Sequence, residues 1–259
     1  MDTPAHGRVA LVTGASHGIG RGIAQQFARE GYRVVVTGRD AARVAAVAQE
    51  IGAPALPVVA DMRNRQAIDH LVETTIEQFG TVDVLVNNAG IYPNSPFLEL
   101  AEAEWDAVFD TNVKGVYLLS QVVAKRMIAT GVKGRIINVS SGASISGRPG
   151  GAHYCASKAA INMLTKVMAI ELTPHGITVN AVAPGLIEVP DADLNEDYVN
   201  AIVAGIPAGR IGQPDDIARA VLFLASPDSD FISGSVMYVD GGSLAGRTTL
   251  PLSGKQRQT

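Results

Sequence analysis

The fold is decided by one stretch of the chain, Thr13-Gly14-Ala15-Ser16-His17-Gly18-Ile19-Gly20, which follows the apolar run Val9–Val12 and opens a helical pattern. Glycine lets the backbone turn sharply and lets a pyrophosphate approach it closely. The first turn of the helix offers free N–H groups and the positive end of its dipole to phosphate. A glycine triplet alone can be a structural turn, but a strand before it and a helix after it predict a dinucleotide site. We assign six of these residues to cofactor binding: Gly14, Ser16, His17, Gly18, Ile19 and Gly20.

Beyond this loop, short apolar runs alternate with longer helical patterns along most of the chain. Several runs are apolar at consecutive positions, which is typical of strands covered by helices on both faces. Repeated strand–helix alternation predicts an α/β fold with a doubly wound parallel sheet and right-handed crossovers. Because no internal repeat or interdomain linker is visible, we predict one domain over residues 1–259. The predicted strands are Val9–Val12, Arg33–Thr37, Ala55–Val59, Val84–Val86, Arg135–Val139, Thr178–Ala181 and Val236–Val239, and the predicted helices cover 19–30, 41–51, 64–79, 102–129, 152–173 and 214–225.

The end of the second predicted strand, Thr37-Gly38-Arg39-Asp40, bears on the choice of cofactor. An acidic residue at this place accepts hydrogen bonds from a ribose 2′-hydroxyl, whereas an arginine accommodates a 2′-phosphate. Arg39 offers a planar fork suited to phosphate oxygens. Asp40 is interpreted as the N-cap of the next helix. The sequence therefore favours NADP(H) over NAD(H).

Two further loops follow predicted strands. Asp61-Met62 comes after the third strand, where it could contact an adenine or simply cap a helix. Asn87-Asn88-Ala89-Gly90 comes after the fourth, at the carboxyl end where open α/β sheets bind ligands. The glycine permits close approach, and the asparagines can tie neighbouring loops together. We add five residues to the cofactor site: Asp61, Met62, Asn88, Ala89 and Gly90.

Composition narrows the class of protein. With 259 residues, 47% of them hydrophobic and 18% charged, the chain can bury a sizeable core. A net charge of -4 provides no basic field for nucleic acid or acidic membranes. The single cysteine, Cys155, rules out an internal disulfide. We expect a cytoplasmic protein with no membrane span, because no apolar window approaches the roughly 20 residues that a bilayer requires, and no metal site, because the five histidines are scattered.

The stretch that indicates a catalytic proton donor is Tyr154-Cys155-Ala156-Ser157-Lys158. Residues four apart leave one face of a helix, so the phenol and the ammonium would lie close together. A nearby ammonium favours the phenolate and lowers a phenol pKa from its ordinary value of about 10. Such a phenol can give or take a proton near neutrality. A tyrosine four residues before a lysine is common on solvated helix faces, so the pair gains its meaning from the other motifs.

These motifs, in this order and approximate spacing, closely resemble those of the short-chain dehydrogenase/reductase family from about Gly7 to Gly242. The resemblance implies a single-domain Rossmann fold with seven parallel strands, a catalytic tetrad, and a homotetramer or homodimer. It is carried by the glycine loop at 13–20, Asn87-Asn88-Ala89-Gly90, Asn112, Ser141, Tyr154 with Lys158, Asn180 and Pro184-Gly185.

The resemblance also implies roles for four residues. Tyr154 would protonate the carbonyl oxygen in reduction, and its phenolate would take the alcohol proton in the reverse direction. Lys158 would lower the pKa of Tyr154 and hydrogen-bond the nicotinamide ribose, and both Tyr154 and Lys158 are assigned to the cofactor site as well. Ser141, favoured by spacing over the adjacent Ser140, would orient the substrate oxygen. Asn112 would hold a water in a proton relay to Lys158; without the family, it would be interpreted as a helix residue bonded to its own backbone.

The segment after the sixth predicted strand is similar to the part of the family that holds the nicotinamide. We assign Pro184, Gly185 and Ile187 to the cofactor, with Ile187 packed on the ring. The family commonly has a threonine where this chain has Val189, so one hydrogen bond to the nicotinamide amide is missing. Residues 188–208 would form a mobile substrate loop and helix. The basic tail 243–259 is either a mobile end or an arm over a neighbouring subunit.

The predicted substrate pocket is mostly apolar, which favours a modest ketone or secondary alcohol without strong anionic recognition. Its residues are Ser141, Tyr154, Ile91, Tyr92, Ala143 and Leu186. The leading hypothesis is NADPH-dependent reduction of a small ketone or a 3-oxoacyl thioester. A second is NAD-dependent oxidation of a sugar, polyol or steroid alcohol. A third is a nucleotide-binding regulator without catalysis, against which the complete tetrad argues.

Overall fold

The computed structural model describes residues 7–53, 55–189 and 196–246. Its centre is one seven-stranded sheet in the order β3-β2-β1-β4-β5-β6-β7, with every neighbouring pair parallel. The predicted doubly wound parallel sheet is therefore confirmed. The strands are β1 Val9–Val12, β2 Arg33–Gly38, β3 Ala55–Val59, β4 Val84–Asn87, β5 Arg135–Val139, β6 Thr178–Pro184 and β7 Val236–Val239.

Eight α-helices connect and cover these strands within the described residues. They are α1 Gly18–Arg29, α2 Ala41–Ile51, α3 Arg65–Phe79, α4 Glu102–Phe109, α5 Gly115–Thr130, α6 Ala152–Leu172, α7 Glu196–Val203 and α8 Pro214–Ala225. In that same part of the chain, no helix has both the length and the apolar character needed to cross a membrane.

Two apolar cores lie on opposite faces of the sheet, because successive side chains of a strand point to opposite sides. Ala10 and Val12 of β1 belong to one core, together with residues of α1, α2 and α8. Val9 and Leu11 belong to the other, together with residues of α3 and α5. Burial on both faces explains why the strands are apolar at consecutive positions.

The predicted helix over 102–129 is wrong in one respect, because α4 and α5 are separated by a π-helical turn, Asp110–Lys114. The hydroxyl of Thr111 donates to the carbonyl of Ala107 at 2.8 Å in this region. Gly115, directly after the turn, lies so close to Met62 that an added Cβ would come within 2.7 Å of its carbonyl oxygen. Single π turns inside helices often occur at functional sites, and this one carries Asn112.

The strand order reverses at β1, which has β2 on one side and β4 on the other. In open α/β sheets, ligands bind in the crevice outside the carboxyl ends of the strands at such a point. The glycine loop follows β1 and the Asn88 loop follows β4, so both predicted cofactor loops lie at this crevice.

Candidate active site

The glycine loop turns tightly and is tied to the loop after β4. Gly14 and Gly18 have φ angles of 62° and 53°, in the left-handed region that favours glycine. A Cβ on Gly20 would overlap the carbonyl oxygen of Gly14 and the side-chain amide of Asn88. That amide donates to the carbonyl oxygens of Thr13 at 2.9 Å and Gly14 at 3.1 Å. Asn88 therefore holds the shape of the loop, and the expectation that the asparagines tie adjacent loops together is confirmed.

A cavity of about 230 Å³ opens between these loops and the end of β2. It includes eight of the seventeen predicted cofactor residues, namely Gly14, Ser16, His17, Arg39, Asp61, Met62, Ala89 and Gly90. It also includes residues that the sequence analysis did not select: Thr37, Gly38, Asp40, Arg43, Ala60 and Thr111. A cradle lined by glycine backbone at a helix N-terminus fits the phosphates and ribose of a dinucleotide.

Two arginines face this cavity beside the end of β2. Arg39 is exposed, and its charge contributes to lowering the pKa of Asp61, although the hydrogen bond from Arg63 to that carboxylate is the largest cause. Asp40 accepts a hydrogen bond from the backbone N–H of Arg43 at 3.1 Å, so its predicted role as N-cap is confirmed. Asp61 is not a helix cap, because Asn64 caps α3. Arg43 was missed because it lies one helical turn away from the strand end.

Tyr154 and Ser141 meet at the opposite end of the crevice. Tyr154 lies near the start of α6, and Ser141 comes directly after β5. The Ser141 hydroxyl lies near enough to the phenol to oppose the rise of the Tyr154 pKa, and it accepts the N–H of Ala143 at 3.1 Å. The neighbouring Ser140 is buried and donates instead to the side-chain oxygen of Asn162 at 2.6 Å. The spacing argument had favoured Ser141, and this geometry agrees with it.

Lys158 reaches the cleft from the same helix. Its Nζ donates to the carbonyl of Val139 at 2.8 Å and lies 5.8 Å from the centre of the Tyr154 ring. A Cβ on Gly90, which lines the nucleotide cavity, would lie 3.6 Å from this Nζ. Burial lowers the pKa of Lys158 to about 8. The lysine thus connects the tyrosine with the wall of the cavity.

The expected lowering of the Tyr154 pKa is not seen in this structure. Burial raises the pKa of the phenol, and the hydrogen bond from Ser141 and the charge of Arg148 only partly oppose that rise. Burial is the largest of these effects, because removing the phenolate from water disfavours its charge. The phenol is therefore protonated at neutral pH.

Asn112 projects from the π-helical turn into the same region and is buried. Its side-chain oxygen accepts the N–H of Ile91 at 2.8 Å, and its amide donates to the carbonyl of Ile91 at 2.9 Å and to the hydroxyl of Ser157 at 3.1 Å. These bonds join the loop after β4 to α6. Asn112 therefore does not bond to its own helix backbone, and it lies 3.2 Å from where a Cβ on Gly90 would be.

The predicted pocket residues occupy the loops around Tyr154. The exposed ring of Tyr92 packs edge-on against the Tyr154 ring, with centroids 6.2 Å apart. Ile91 and Ala143 are half-buried beside Asn112 and Ser141. The half-buried Leu186 is held through its carbonyl, which accepts the N–H of Gly212 at 2.9 Å.

The predicted nicotinamide segment is only partly as expected. Gly185 approaches β7 closely, since an added Cβ would lie 2.9 Å from the Cα of Asp240. Ile187 is buried in the core and packs against Gly212, and its contact with a nicotinamide ring stays a prediction. Val189 instead closes over the glycine loop, with its Cγ1 at 3.2 Å from a Cβ built on Gly18. Pro184 ends β6 and is buried, so it positions this turn.

His153, the residue before Tyr154 in α6, has a fully buried side chain. Its Nε2 lies 3.1 Å from the carboxylate of Glu104, which also accepts the hydroxyl of Ser95 at 2.5 Å. These hydrogen bonds, with that from Ser95 as the largest cause, lower the pKa of Glu104. The cluster fastens the pocket loop to α4 and α6. Within the described part of the chain, the Nδ1 of His153 is buried without a hydrogen-bond partner.

Part of the predicted substrate loop and of the tail lies outside the described residues, namely 190–195 and 247–259. The described start of the tail is ordered by Asp240, whose carboxylate accepts the N–H of Leu244 at 2.9 Å. A Cβ on Gly142 would lie 3.0 Å from Leu244 Cδ1. Leu244 therefore borders the Ser141 loop, a contact that no sequence motif indicated.

A larger cavity of about 570 Å³ lies between α1 and the start of α8, away from Tyr154. Its charged residues are paired, as Arg210 with Asp216 at 2.7 Å and Arg21 with Glu50 at 2.9 Å. No group of three or more metal-ligating side chains occurs in the ranges that the structure describes. The crevice around Tyr154 is thus the better candidate for chemistry.

Comparisons with known proteins agree with this geometry. The family model described as enoyl-(acyl carrier protein) reductase matches residues 14–243. A (2S)-[(R)-hydroxy(phenyl)methyl]succinyl-CoA dehydrogenase subunit, BbsD, of Thauera aromatica is 43% identical over 239 residues, which cover 91% of this chain and 96% of that protein. Galactitol 2-dehydrogenase of Agrobacterium fabrum is 41% identical over 248 residues, with 91% and 97% covered. The 3-oxoacyl-[acyl-carrier-protein] reductase FabG of Vibrio cholerae is 40% identical over 237 residues, also with 91% and 97% covered.

A solved structure is equally similar. The crystal structure of a short-chain type dehydrogenase/reductase from Mycobacterium marinum superposes with a TM-score of 0.89 at 37% sequence identity. The alignment covers 93% of this chain and 97% of that one. The likeness therefore extends over almost all of both chains.

Proposed function

Because this chain belongs to the short-chain dehydrogenase/reductase family, and is therefore an oxidoreductase acting on CH–OH groups with NAD(P), we propose that it reduces a ketone to a secondary alcohol with NADPH. The observation that carries the proposal is the meeting of Tyr154, Ser141 and Lys158 at the nucleotide crevice. The Ser141 hydroxyl lies near enough to the phenol to affect its pKa, and Lys158 lies beside Gly90 in the cavity wall.

The protein's own contribution is a proton and a place for developing charge. A bound reduced nicotinamide supplies hydride to the carbonyl carbon. Negative charge then develops on the carbonyl oxygen, and the hydroxyls of Ser141 and Tyr154 are placed to donate to that oxygen. Such donors typically contribute about 3 kcal/mol each to transition-state stabilisation. The phenol, protonated at neutral pH because burial raises its pKa, gives up its proton to the oxygen.

Lys158 and Asn112 support that proton transfer. The phenolate left by proton donation lies near the ammonium of Lys158, whose pKa of about 8 suits exchange of a proton near neutrality. Asn112 fixes the backbone of Ile91 and the hydroxyl of Ser157. It thereby sets the distance between the pocket loop and α6, and it is the residue proposed to hold a water on the path from Lys158 to solvent.

NADP(H) is proposed over NAD(H) because two arginines, Arg39 and Arg43, line the cavity beside the end of β2. Two acids also line this cavity: Asp40 uses its carboxylate to cap α2, and Asp61 is paired with Arg63. A 2′-phosphate would be recognised by the guanidinium groups. We expect Arg39→Ala to raise KM for NADPH about tenfold or more and to change KM for NADH little, because hydrogen bonds to charged groups contribute roughly 1.5–3 kcal/mol. Equal changes with both cofactors would contradict this assignment.

The substrate class within this proposal is a small ketone or a 3-oxoacyl carbonyl, in line with the name of the 40% identical reductase. Oxidation of a sugar or polyol with NAD is the second candidate, favoured by the similarity to galactitol 2-dehydrogenase. The test is turnover of a panel of 3-oxoacyl thioesters, small ketones and polyols, each with NADPH or NADP⁺ and with NADH or NAD⁺. Absence of turnover across the panel with intact nucleotide binding would favour the non-catalytic regulator instead.

A homotetramer is proposed as the working form. Apolar side chains are exposed along α5 and α6, including Tyr117, Met163 and Ile170, the last with 76% of its side chain exposed. A second exposed group lies near β7 and α8, where Phe231 is fully exposed. Two separate apolar faces suit the two interfaces of a tetramer with dihedral symmetry. Light scattering after gel filtration tests this: a monomer would contradict the proposal, and a dimer would retain one face only.

A further inference from the structure

Arg148 lies directly over the proposed proton donor. Its guanidinium carbon is 5.3 Å from the centre of the Tyr154 ring. The side chain crosses Gly151, the residue before α6, because a Cβ there would come within 2.8 Å of Arg148 Cγ and 3.0 Å of its Nε. The turn is closed by the N–H of Gly151, which donates to the carbonyl of Arg148 at 3.1 Å. The chain therefore leaves room for an arginine to reach the reactive tyrosine.

No acid neutralises this guanidinium among the residues that the structure describes. Arg148 takes part in no ion pair there, and the first turn of α6 has no acidic residue. Glu104, an acid beside α6, is bonded to Ser95 and His153. An exposed arginine whose charge faces the mouth of a reaction site can recognise a negative group on what binds there.

We propose that Arg148 binds a carboxylate on the substrate, so that the protein acts on oxo acids whose carboxylate lies close to the reacting carbonyl. This inference rests on the proposed function and names its substrate class. It departs from the sequence-based expectation of a pocket without anionic recognition. That expectation considered only the apolar side chains of the pocket loops, such as Tyr92 and Ile145, which are 61% and 63% exposed.

The position of Arg148 also fits the orientation that the substrate needs for the proposed reaction. A carboxylate held by the guanidinium would leave the neighbouring carbonyl oxygen near the hydroxyls of Tyr154 and Ser141. The exposed rings and alkyl groups at the rim would then contact the remaining carbon chain. A carboxylate and a phosphate would both attract the guanidinium, and we favour the carboxylate because its planar oxygens match one guanidinium fork.

The test compares matched ketones with and without the charge: acetoacetate and its methyl ester, and 4-oxopentanoate and its methyl ester. For the wild-type protein, kcat/KM should be higher for each acid than for its ester. Arg148→Gln should lower kcat/KM for the acids about ten- to hundredfold, the range expected for a hydrogen bond to a charged group, and leave the esters within about threefold. Arg148→Lys should recover part of the loss. Arg65→Gln, which removes an exposed arginine of α3, serves as the matched control and should change neither class.

The outcomes separate the inference from the proposed function. If wild-type protein reduces the esters and the acids equally, or if Arg148→Gln affects both classes alike, Arg148 serves only to pack on or tune Tyr154 and the inference is wrong. Preference for a matched phosphate-bearing ketone over both acids would also overturn the choice of carboxylate. If neither class is reduced but 3-oxoacyl thioesters are, the inference is wrong. If no ketone or thioester is reduced with NADPH or NADH, the proposed function itself fails. The kcat/KM of each variant is measured across pH. Loss of the Arg148 charge would shift the pKa of Tyr154, and that shift would change kcat/KM equally for the acid and for its ester.

Discussion

Replacing Tyr154 with phenylalanine removes one hydroxyl and keeps the ring. The ring contacts with Tyr92 at 6.2 Å and with the guanidinium of Arg148 at 5.3 Å can therefore persist. What disappears is the hydroxyl beside Ser141 and with it the proposed proton. Loss of one donor to a developing oxyanion costs about 3 kcal/mol, and loss of general acid catalysis costs about 10²–10⁴ in rate. We expect kcat for ketone reduction to fall by at least about three orders of magnitude.

The assay is the loss of reduced-nicotinamide absorbance with a ketone that the wild-type protein reduces, followed in single and multiple turnovers. Nucleotide affinity is measured separately by fluorescence titration and should change less than about threefold, because Tyr154 does not line the 230 Å³ cavity. Tyr92→Phe is the matched control, since it removes a hydroxyl from the neighbouring ring without touching the proton path. A Tyr154→Phe protein that retains kcat within about tenfold of wild type would refute the assignment of the proton donor.

Three further predictions concern stability. Gly20→Ala should lower the melting temperature by several degrees and weaken nucleotide binding, because overpacking typically costs about 1–3 kcal/mol. The control Gly147→Ala should be tolerated, because a Cβ at Gly147 would meet open space. Equal melting temperatures for the two variants would contradict the role of the loop. Glu104→Ala should lower the melting temperature by leaving the buried His153 without its carboxylate partner, and an unchanged value would show that the cluster is not needed for the fold. The folded pKa of Lys158 is lowered from 10.5 to about 8, so between those values the unfolded state binds more protons than the folded state. The free energy of unfolding of the wild-type protein should therefore rise by about 1 kcal/mol relative to that of Lys158→Met as the pH increases from about 7 to 9. Urea unfolding measures this difference, and a difference that does not depend on pH would contradict the prediction.

Sequence signals within a few neighbouring residues were sufficient to predict the strands and the cofactor loop. The run Val9–Val12 and the glycines after it combine strand, turn and helix signals within a few residues, so the prediction did not depend on distant contacts. Asp40 was identified as an N-cap for the same reason. By contrast, the helix predicted over 102–129 contains a π-helical turn, because Gly115 must fit against Met62 from another element. The helical periodicity of the sequence does not reveal such a contact between distant residues.

Burial accounts for the remaining errors. His153 looks like a surface residue when only its helix is considered, and it is buried because Glu104 and Ser95 approach it from a separate loop and helix. The pKa of Tyr154 follows desolvation more than its neighbour at i+4. Each of these properties depends on what surrounds a side chain in space.

The order of residue types along the chain is enough to determine the doubly wound sheet and the glycine cradle, because periodicity and turn chemistry act over short distances in sequence. The four polar residues of the proposed reaction were assigned through the resemblance to the family. Tertiary structure alone decides the protonation states and the contacts of those polar residues. It makes Tyr154 a protonated phenol, brings the pKa of Lys158 to about 8, and lays Arg148 across the ring of Tyr154. The reason is physical: charge and burial are fixed by the whole set of neighbours, and most of those neighbours come from other parts of the chain.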